Sequence, residues 1–228
     1  MTQEIELQLE ENHIQIFSAG DGPAPLVLLH TVNGEGRQVY DGVRACTLLP
    51  FSLAAIDGLD WHRDMSPWPA PPLSAKDTPF SGGAGSYLAR LEGKILPGII
   101  EQLPFKPSYL ALAGYSLAGL FAIHAIYGTA QFSRIACASG SLWYPELLSF
   151  VRSHELKGRP DAIYFSLGER EARTKNRLLG TVEENTRILQ AHYEEMGIKT
   201  VLEMNPGNHF NDAVGRMARG ISWILQAQ

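Results

Sequence analysis

Cysteine is almost missing from this chain: Cys46 and Cys137 are the only two in 228 residues, and they lie far apart. That excludes a disulfide framework and a cysteine-rich metal site, and both thiols are expected to be reduced and packed. No apolar stretch is long enough to span a bilayer. Residues 1–6 are acidic and lack the basic start and apolar run of a signal peptide, so a soluble, cytoplasmic protein is expected. Runs of lysine or arginine are lacking too. With 24 acidic against 19 basic side chains and a net charge of -5, neither nucleic acid nor an anionic membrane is expected as a partner. No two histidines have metal-ligand spacing, and Gly34-Glu35-Gly36 has no third glycine at the needed offset, so neither a metal nor a dinucleotide cofactor is expected. Internal repeats and low-complexity tracts are absent. What remains is a length and composition that suit one α/β domain over 1–228, with the oligomeric state left open.

Two stretches near the start, Ile5-Glu6-Leu7-Gln8-Leu9 and His13-Ile14-Gln15-Ile16-Phe17, alternate apolar and polar residues around Glu10-Glu11-Asn12. They predict an antiparallel hairpin at a sheet edge. Leu26-Val27-Leu28-Leu29-His30 is a continuous apolar run, the mark of a strand buried on both faces. Further strands are expected over 51–56, 109–113, 134–139, 162–167 and 200–204. Helices are expected between them over 39–48, 86–103 (kinked or shortened by Pro97), 117–127, 145–151, 182–196 and 210–226. Such alternation implies a mostly parallel, twisted sheet with helices on both faces. Residues 57–85, rich in proline, glycine and tryptophan, read as a long loop, and loops of that length in compact domains are commonly functional.

The most informative stretch is Leu110-Ala111-Leu112-Ala113-Gly114-Tyr115-Ser116-Leu117-Ala118-Gly119-Leu120. An apolar strand runs into a glycine, a serine follows two residues later, and small residues lead into a helical run. This is the layout of a nucleophile elbow, where a strained turn holds a serine hydroxyl clear of the backbone. Ala118 stands where the usual G-x-S-x-G pattern ends in glycine, with Gly119 just behind it.

A serine hydroxyl needs a base to take its proton, and histidine suits because it titrates near working pH. A carboxylate then fixes the histidine's tautomer. In such sheets these groups gather beyond the carboxyl ends of the strands. Of seven histidines, His209 alone follows the final strand, in Asn205-Pro206-Gly207-Asn208-His209-Phe210; His30 and His62 are placed near the site. Two glutamates follow the preceding strand: Glu171 is favoured as the acid and Glu169 is the alternative, with a Ser–His dyad also allowed. Oxyanion donors are expected from the backbone N–H of Leu117 and, after the strand ending at His30, of Val32 or its competitor Thr31.

Several stretches together resemble the esterases of the α/β-hydrolase fold that include the enterochelin (trilactone siderophore) esterases and the esterase D group. They are Trp61-His62-Arg63-Asp64-Met65-Ser66-Pro67-Trp68, Phe80-Ser81-Gly82-Gly83, the elbow, Ser139-Gly140-Ser141-Leu142-Trp143-Tyr144, 164–171, and Gly207-Asn208-His209-Phe210. The resemblance runs over most of the chain from Leu26 onward. It implies Ser116 as nucleophile and His209 as base, and it makes Arg63 a candidate for holding an anionic substrate. Trp61, Trp143 and Trp68 hint at an aromatic one. Two departures are Ala118 and the sequence His30-Thr31-Val32-Asn33-Gly34, where relatives often carry an aspartate-glycine pair. The expected activity is hydrolysis of a small-molecule carboxylic ester through an acyl-serine. A thioesterase or acyltransferase on the same residues, or a non-catalytic binding protein that keeps the fold, are the alternatives.

Overall fold

A computed structural model describes residues 3–20 and 22–227. Strands β1 (Gln3–Leu9) and β2 (Asn12–Ser18) form the expected antiparallel hairpin, with Glu10 in a left-handed conformation (φ 54°) at the turn. β2 pairs antiparallel with β4 (Ser52–Ile56). From there every pairing is parallel, through β3 (Leu26–His30), β7 (Leu110–Tyr115), β8 (Phe132–Ala138), β9 (Ala162–Gly168) and β10 (Lys199–Asn205). The order across the sheet is β1-β2-β4-β3-β7-β8-β9-β10. β3 and β9 are buried along their whole length, which is why their sequences do not alternate.

One face is covered by α1 (Gly36–Cys46) and α8 (Ala213–Gln226), which pack Val39, Val43, Met217 and Ile221 against Val27, Leu53 and Ala113. The other face carries a helical segment over 84–101, α5 (Leu117–Gly128), α6 (Leu147–Ser153) and α7 (Val182–Glu195). Helix α5 is apolar around nearly its whole circumference and lies in the core, as such a helix must. No helix among the described residues is long and apolar enough to cross a membrane.

Several expectations are corrected in detail. α1 begins at Gly36 rather than Val39, because its first residue lies against β4: a Cβ at Gly36 would stand 2.4 Å from Ala55 Cβ. The helix around Pro97 does not end at the proline. α3 (Ala84–Arg90) passes through a π-helical turn, Leu91–Ile95, into α4 (Leu96–Glu101). Widening the helix just before Pro97 relieves the clash of its ring with the preceding turn. α8 starts at Ala213, three residues late, because Asp212 is left-handed (φ 52°).

The stretch 57–85 is built rather than open. It holds a short helix α2 (Trp61–Asp64), capped by Asp60, and a strand pair β5 (Pro69–Ala70) with β6 (Phe80–Ser81). Trp68 pins it down: its indole N–H donates to the Pro145 carbonyl at 3.0 Å, and the Tyr144 hydroxyl donates back to the Trp68 carbonyl at 2.6 Å. That tryptophan packs the loop against the residues around Tyr144. Both cysteines are free; Cys137 is buried, but Cys46 is exposed, not packed as expected.

His30 fills the end of β3 with its ring against Tyr87 and Phe121 and its Nε2 2.8 Å from the Tyr87 hydroxyl. Burial pushes its pKa down to about 3, and burial, then the nearby His154, lowers His124 to about 4. An unfolded histidine titrates near 6.5, so below that pH the unfolded chain binds protons that the native one does not. Stability is therefore expected to fall as pH drops from about 6.5, with about 2 kcal/mol lost at pH 5 through His30 alone. Denaturant midpoints at pH 7 and pH 5 check this, and equal midpoints would contradict it.

Candidate active site

The chain leaves β3 toward α1 and β4 on one side and later enters β7 on the other, so strand order reverses between β3 and β7. At such a switch point the loops beyond the strands part and leave a crevice. Ser116 follows β7 there. Its backbone (φ 59°, ψ -122°) is outside the comfortable range for a residue with a side chain, and it is held by its N–H to the Ala138 carbonyl (3.1 Å) and its carbonyl to the Ser141 N–H (3.0 Å). The turn is tight enough that a Cβ on Gly114 would stand 2.3 Å from the carbonyl carbon of Ala118. The next close approach falls at Gly119, where a Cβ would meet Gly140 Cα at 2.9 Å. Ala118 itself is fully buried without such a demand, so alanine is accommodated at the position where the usual motif has glycine. Gly114→Ala is accordingly expected to destabilise the fold by about 2 kcal/mol or more, measured by chemical denaturation.

His209 reaches the serine from the loop between β10 and α8. Its Nε2 lies 3.1 Å from Ser116 Oγ and its Nδ1 3.0 Å from Glu171 Oε2. An ionised carboxylate only accepts, so Nδ1 carries the proton and Nε2 is left to accept from the serine hydroxyl. Glu171 follows β9 and its side chain is 4% exposed, against 29% for His209. Its other oxygen, Oε1, accepts from the Ser139 hydroxyl (2.6 Å), the Gly168 N–H (2.6 Å) and Arg216 Nη2 (2.9 Å). Burial works to raise the Glu171 pKa, but the hydrogen bonds from His209, Ser139 and Gly168 outweigh it and bring it down to about 2. Glu169, the alternative acid, is exposed and takes no part in this chain of contacts.

The two expected oxyanion donors, Leu117 and Val32, each line a cavity that also holds Ser116. Leu117 opens α5, so its N–H has no partner within the helix. After β3, the Thr31 N–H is spent on the Ile56 carbonyl (3.0 Å) and the Asn33 N–H on Glu35 Oε2 (2.7 Å). Among the described residues the Val32 N–H between them has no partner, which favours Val32 over Thr31 as a donor toward the crevice.

The crevice is two cavities, about 320 Å³ and about 290 Å³, that share Trp61, Ser116, His209 and Phe210. The first is walled by Phe80, Trp143 and Leu179 and also holds His62; the second is walled by Val32, Val39, Val214 and Met217, with His30 beneath it. Trp61 and Trp143 thus line a cavity that holds Ser116, whereas Arg63 does not. Arg63 lines neither cavity, and its guanidinium is taken up by Asp64 (2.9 Å) and Asp60 (3.5 Å), the two acids beside it in sequence. Among the described residues no group of three or more histidine, cysteine or acidic side chains is placed to hold a metal ion.

Four residues here escape a reading of the sequence. Ser141 places its hydroxyl 3.4 Å from Ser116 Oγ. Ser139, left-handed at φ 43°, and the fully buried Arg216 support Glu171 from behind. Tyr115 donates its hydroxyl to the His209 carbonyl at 2.7 Å. Ser139 and Ser141 lie in a stretch that carried the resemblance, a signal that could have found them. Arg216 sits within an amphipathic helix, where nothing local marks it.

This is the α/β-hydrolase fold, with a hydrogen-bonded serine, histidine and glutamate at its switch point. The chain is similar along 98% of its length to the siderophore hydrolase EstA of Aspergillus nidulans, with a TM-score of 0.78 and 18% identity over 94% of that chain. An IroE-like serine hydrolase of Shewanella oneidensis gives a TM-score of 0.75 and 18% identity over 98% of this chain and 79% of that one. At such identities the likeness is one of fold. In sequence, the uncharacterized Bacillus subtilis protein YbbA is 28% identical over 137 residues, 59% of this chain, and the match spans about half of that relative (55%). No family model matches the chain.

Proposed function

We propose that the protein is a serine esterase that hydrolyses a small carboxylic ester through an acyl-Ser116 intermediate. The observation that carries this is the chain Glu171–His209–Ser116, closed at 3.0 and 3.1 Å around a serine whose strained backbone presents its hydroxyl to a crevice. His209 Nε2 takes the hydroxyl proton as Oγ attacks the ester carbonyl, and the N–H groups of Leu117 and Val32 receive the developing oxyanion. Collapse of the tetrahedral adduct breaks the C–O bond to the alcohol, which leaves with the proton from His209. Water, activated by the same imidazole, then attacks the acyl-serine and releases the acid. Glu171 stays ionised throughout and stabilises the imidazolium.

One of the structural neighbours is named a siderophore hydrolase, and a siderophore-like ester is the finer version of the proposal. Neither cavity is lined by lysine or arginine, and Trp61, Phe80, Trp143 and Phe210 supply aromatic wall on the larger side. The substrate end held there is therefore uncharged and apolar or aromatic. Phe210, 87% exposed beside His209, supports this because a ligand between the cavities would cover it. Two unpaired cysteines are consistent with action in the cytoplasm.

The test is intact-mass and peptide mapping after exposure to a fluorophosphonate, followed by an ester panel run with and without excess alcohol. One adduct on Ser116 and ester turnover support the esterase; product transferred mainly to the added alcohol would make it an acyltransferase. No adduct and no turnover by correctly folded protein would overturn the reading in favour of a binding role.

A further inference from the structure

Arg216 is 0% exposed, and its hydrogen bonds run in two directions. Nη2 donates to Glu171 Oε1 at 2.9 Å and to the Ser139 hydroxyl oxygen. Nη1 donates to the Tyr115 hydroxyl oxygen at 2.9 Å and reaches the Asn208 carbonyl at 3.5 Å. Tyr115 in turn donates to the carbonyl of His209. One guanidinium thus ties the acid through one arm and the main chain of the base through the other. Because Oε1 is occupied by three donors, Oε2 is the oxygen left to face His209.

This is an expensive arrangement to keep for packing alone. Taking a charge out of water costs several kcal/mol, and buried ion pairs are commonly replaceable by apolar side chains without loss of stability. Arg216 Nε, moreover, is buried without a partner among the described residues. The planar fork of arginine, by contrast, suits a position where two groups must be held at a set separation.

We propose that Arg216 is a positioning residue that fixes the acid and the base relative to one another and sets the basicity of His209 by neutralising Glu171 from behind. With the guanidinium present, His209 faces a nearly neutral pair. Without it, His209 faces a bare carboxylate, and its protonated form gains stability. The other titratable or charged groups around this pair are Tyr115 on β7, His62 and Glu35 along the cavities, and, next along α8, Arg219, which is half-exposed and already paired with Glu203 and Asp212. None of these replaces a buried cation at Oε1.

The catalytic part of this inference rests on the esterase reading; the titration part does not. The experiment follows the His209 imidazole by NMR through a pH titration in wild type, Arg216→Met and Arg216→Lys, alongside ester hydrolysis. In Arg216→Met the His209 midpoint is expected to rise by about one pH unit, and kcat to fall about 100-fold with KM little changed. Arg216→Lys keeps the charge but not the fork: its midpoint should stay at the wild-type value while kcat falls about tenfold. Tyr115→Phe, which cuts only the arm to the His209 carbonyl, should likewise lower kcat without moving the midpoint. If Arg216→Met does not fold, Arg216→Gln, which keeps a donor for Glu171, carries the same expectation. An unmoved midpoint in a folded, uncharged variant would overturn the proposal. So would unfolding of both neutral variants beside a native Arg216→Lys, which would make the charge a matter of stability. A wild type that cleaves no ester would overturn the esterase reading and leave the titration standing as its own test.

Discussion

Ser116→Ala is expected to lower kcat on any ester the protein turns over by on the order of 10⁵-fold, with the fold intact and the fluorophosphonate adduct gone. The loss is large because the hydroxyl supplies the bond-forming atom, while what survives, the Leu117 and Val32 N–H groups and the cavity walls, can only assist attack by water. Folding should be undisturbed: the strain at φ 59° is carried by backbone contacts to Ala138 and Ser141, which alanine keeps. His209→Ala should fall almost as far, and the double variant little further, because the two side chains act as one unit. Steady-state kinetics of the three variants checks this. Near-wild-type turnover by folded Ser116→Ala would remove the serine from the chemistry, and additive losses would mean that serine and histidine work separately.

Glu171→Ala is expected to strike stability as well as rate. The substitution leaves the Arg216 guanidinium buried without its anion and deprives the Ser139 hydroxyl and Gly168 N–H of their acceptor. Breaking a buried pair from one side costs about 3–5 kcal/mol, because it leaves an uncompensated buried charge. Turnover should fall by a further factor of about 10²–10⁴ relative to wild type in whatever fraction folds, since nothing then fixes the His209 tautomer. Glu171→Gln keeps the shape and separates the effects: it should fold better than the alanine variant and still be slow. The pH dependence has a definite sign. The folded pKa of about 2 lies below the unfolded value of about 4.3, so this carboxylate's contribution, about 3 kcal/mol, is fully present above pH 4.3 and is lost as pH falls toward 2. Wild type should show that loss in acid denaturation and Glu171→Ala should not. Equal acid sensitivity of the two below pH 4.3 would mean that the buried hydrogen bonds to Glu171 contribute nothing.

What could be read from the residues in order was whatever is written in local pattern. Uninterrupted apolar runs mark strands buried on both faces, and their alternation with helices leaves few topologies, so the parallel sheet and its edge hairpin follow from sequence. The elbow is local as well, since Gly114, Ser116 and the small residues after it meet steric demands within one turn of chain. His209 and Glu171 stand out because each follows a strand, and ends of parallel strands share one edge of the sheet. Tertiary structure alone decided the rest, because contacts between distant residues leave no period behind. It set Arg63 outside both cavities, and it turned Trp68 into a clasp on Pro145. It also brought Arg216, 45 residues from Glu171 and 101 from Tyr115, beneath both. A cation in an amphipathic helix reads the same whether it meets water or a carboxylate, and only the packing of α8 against the sheet made it the second.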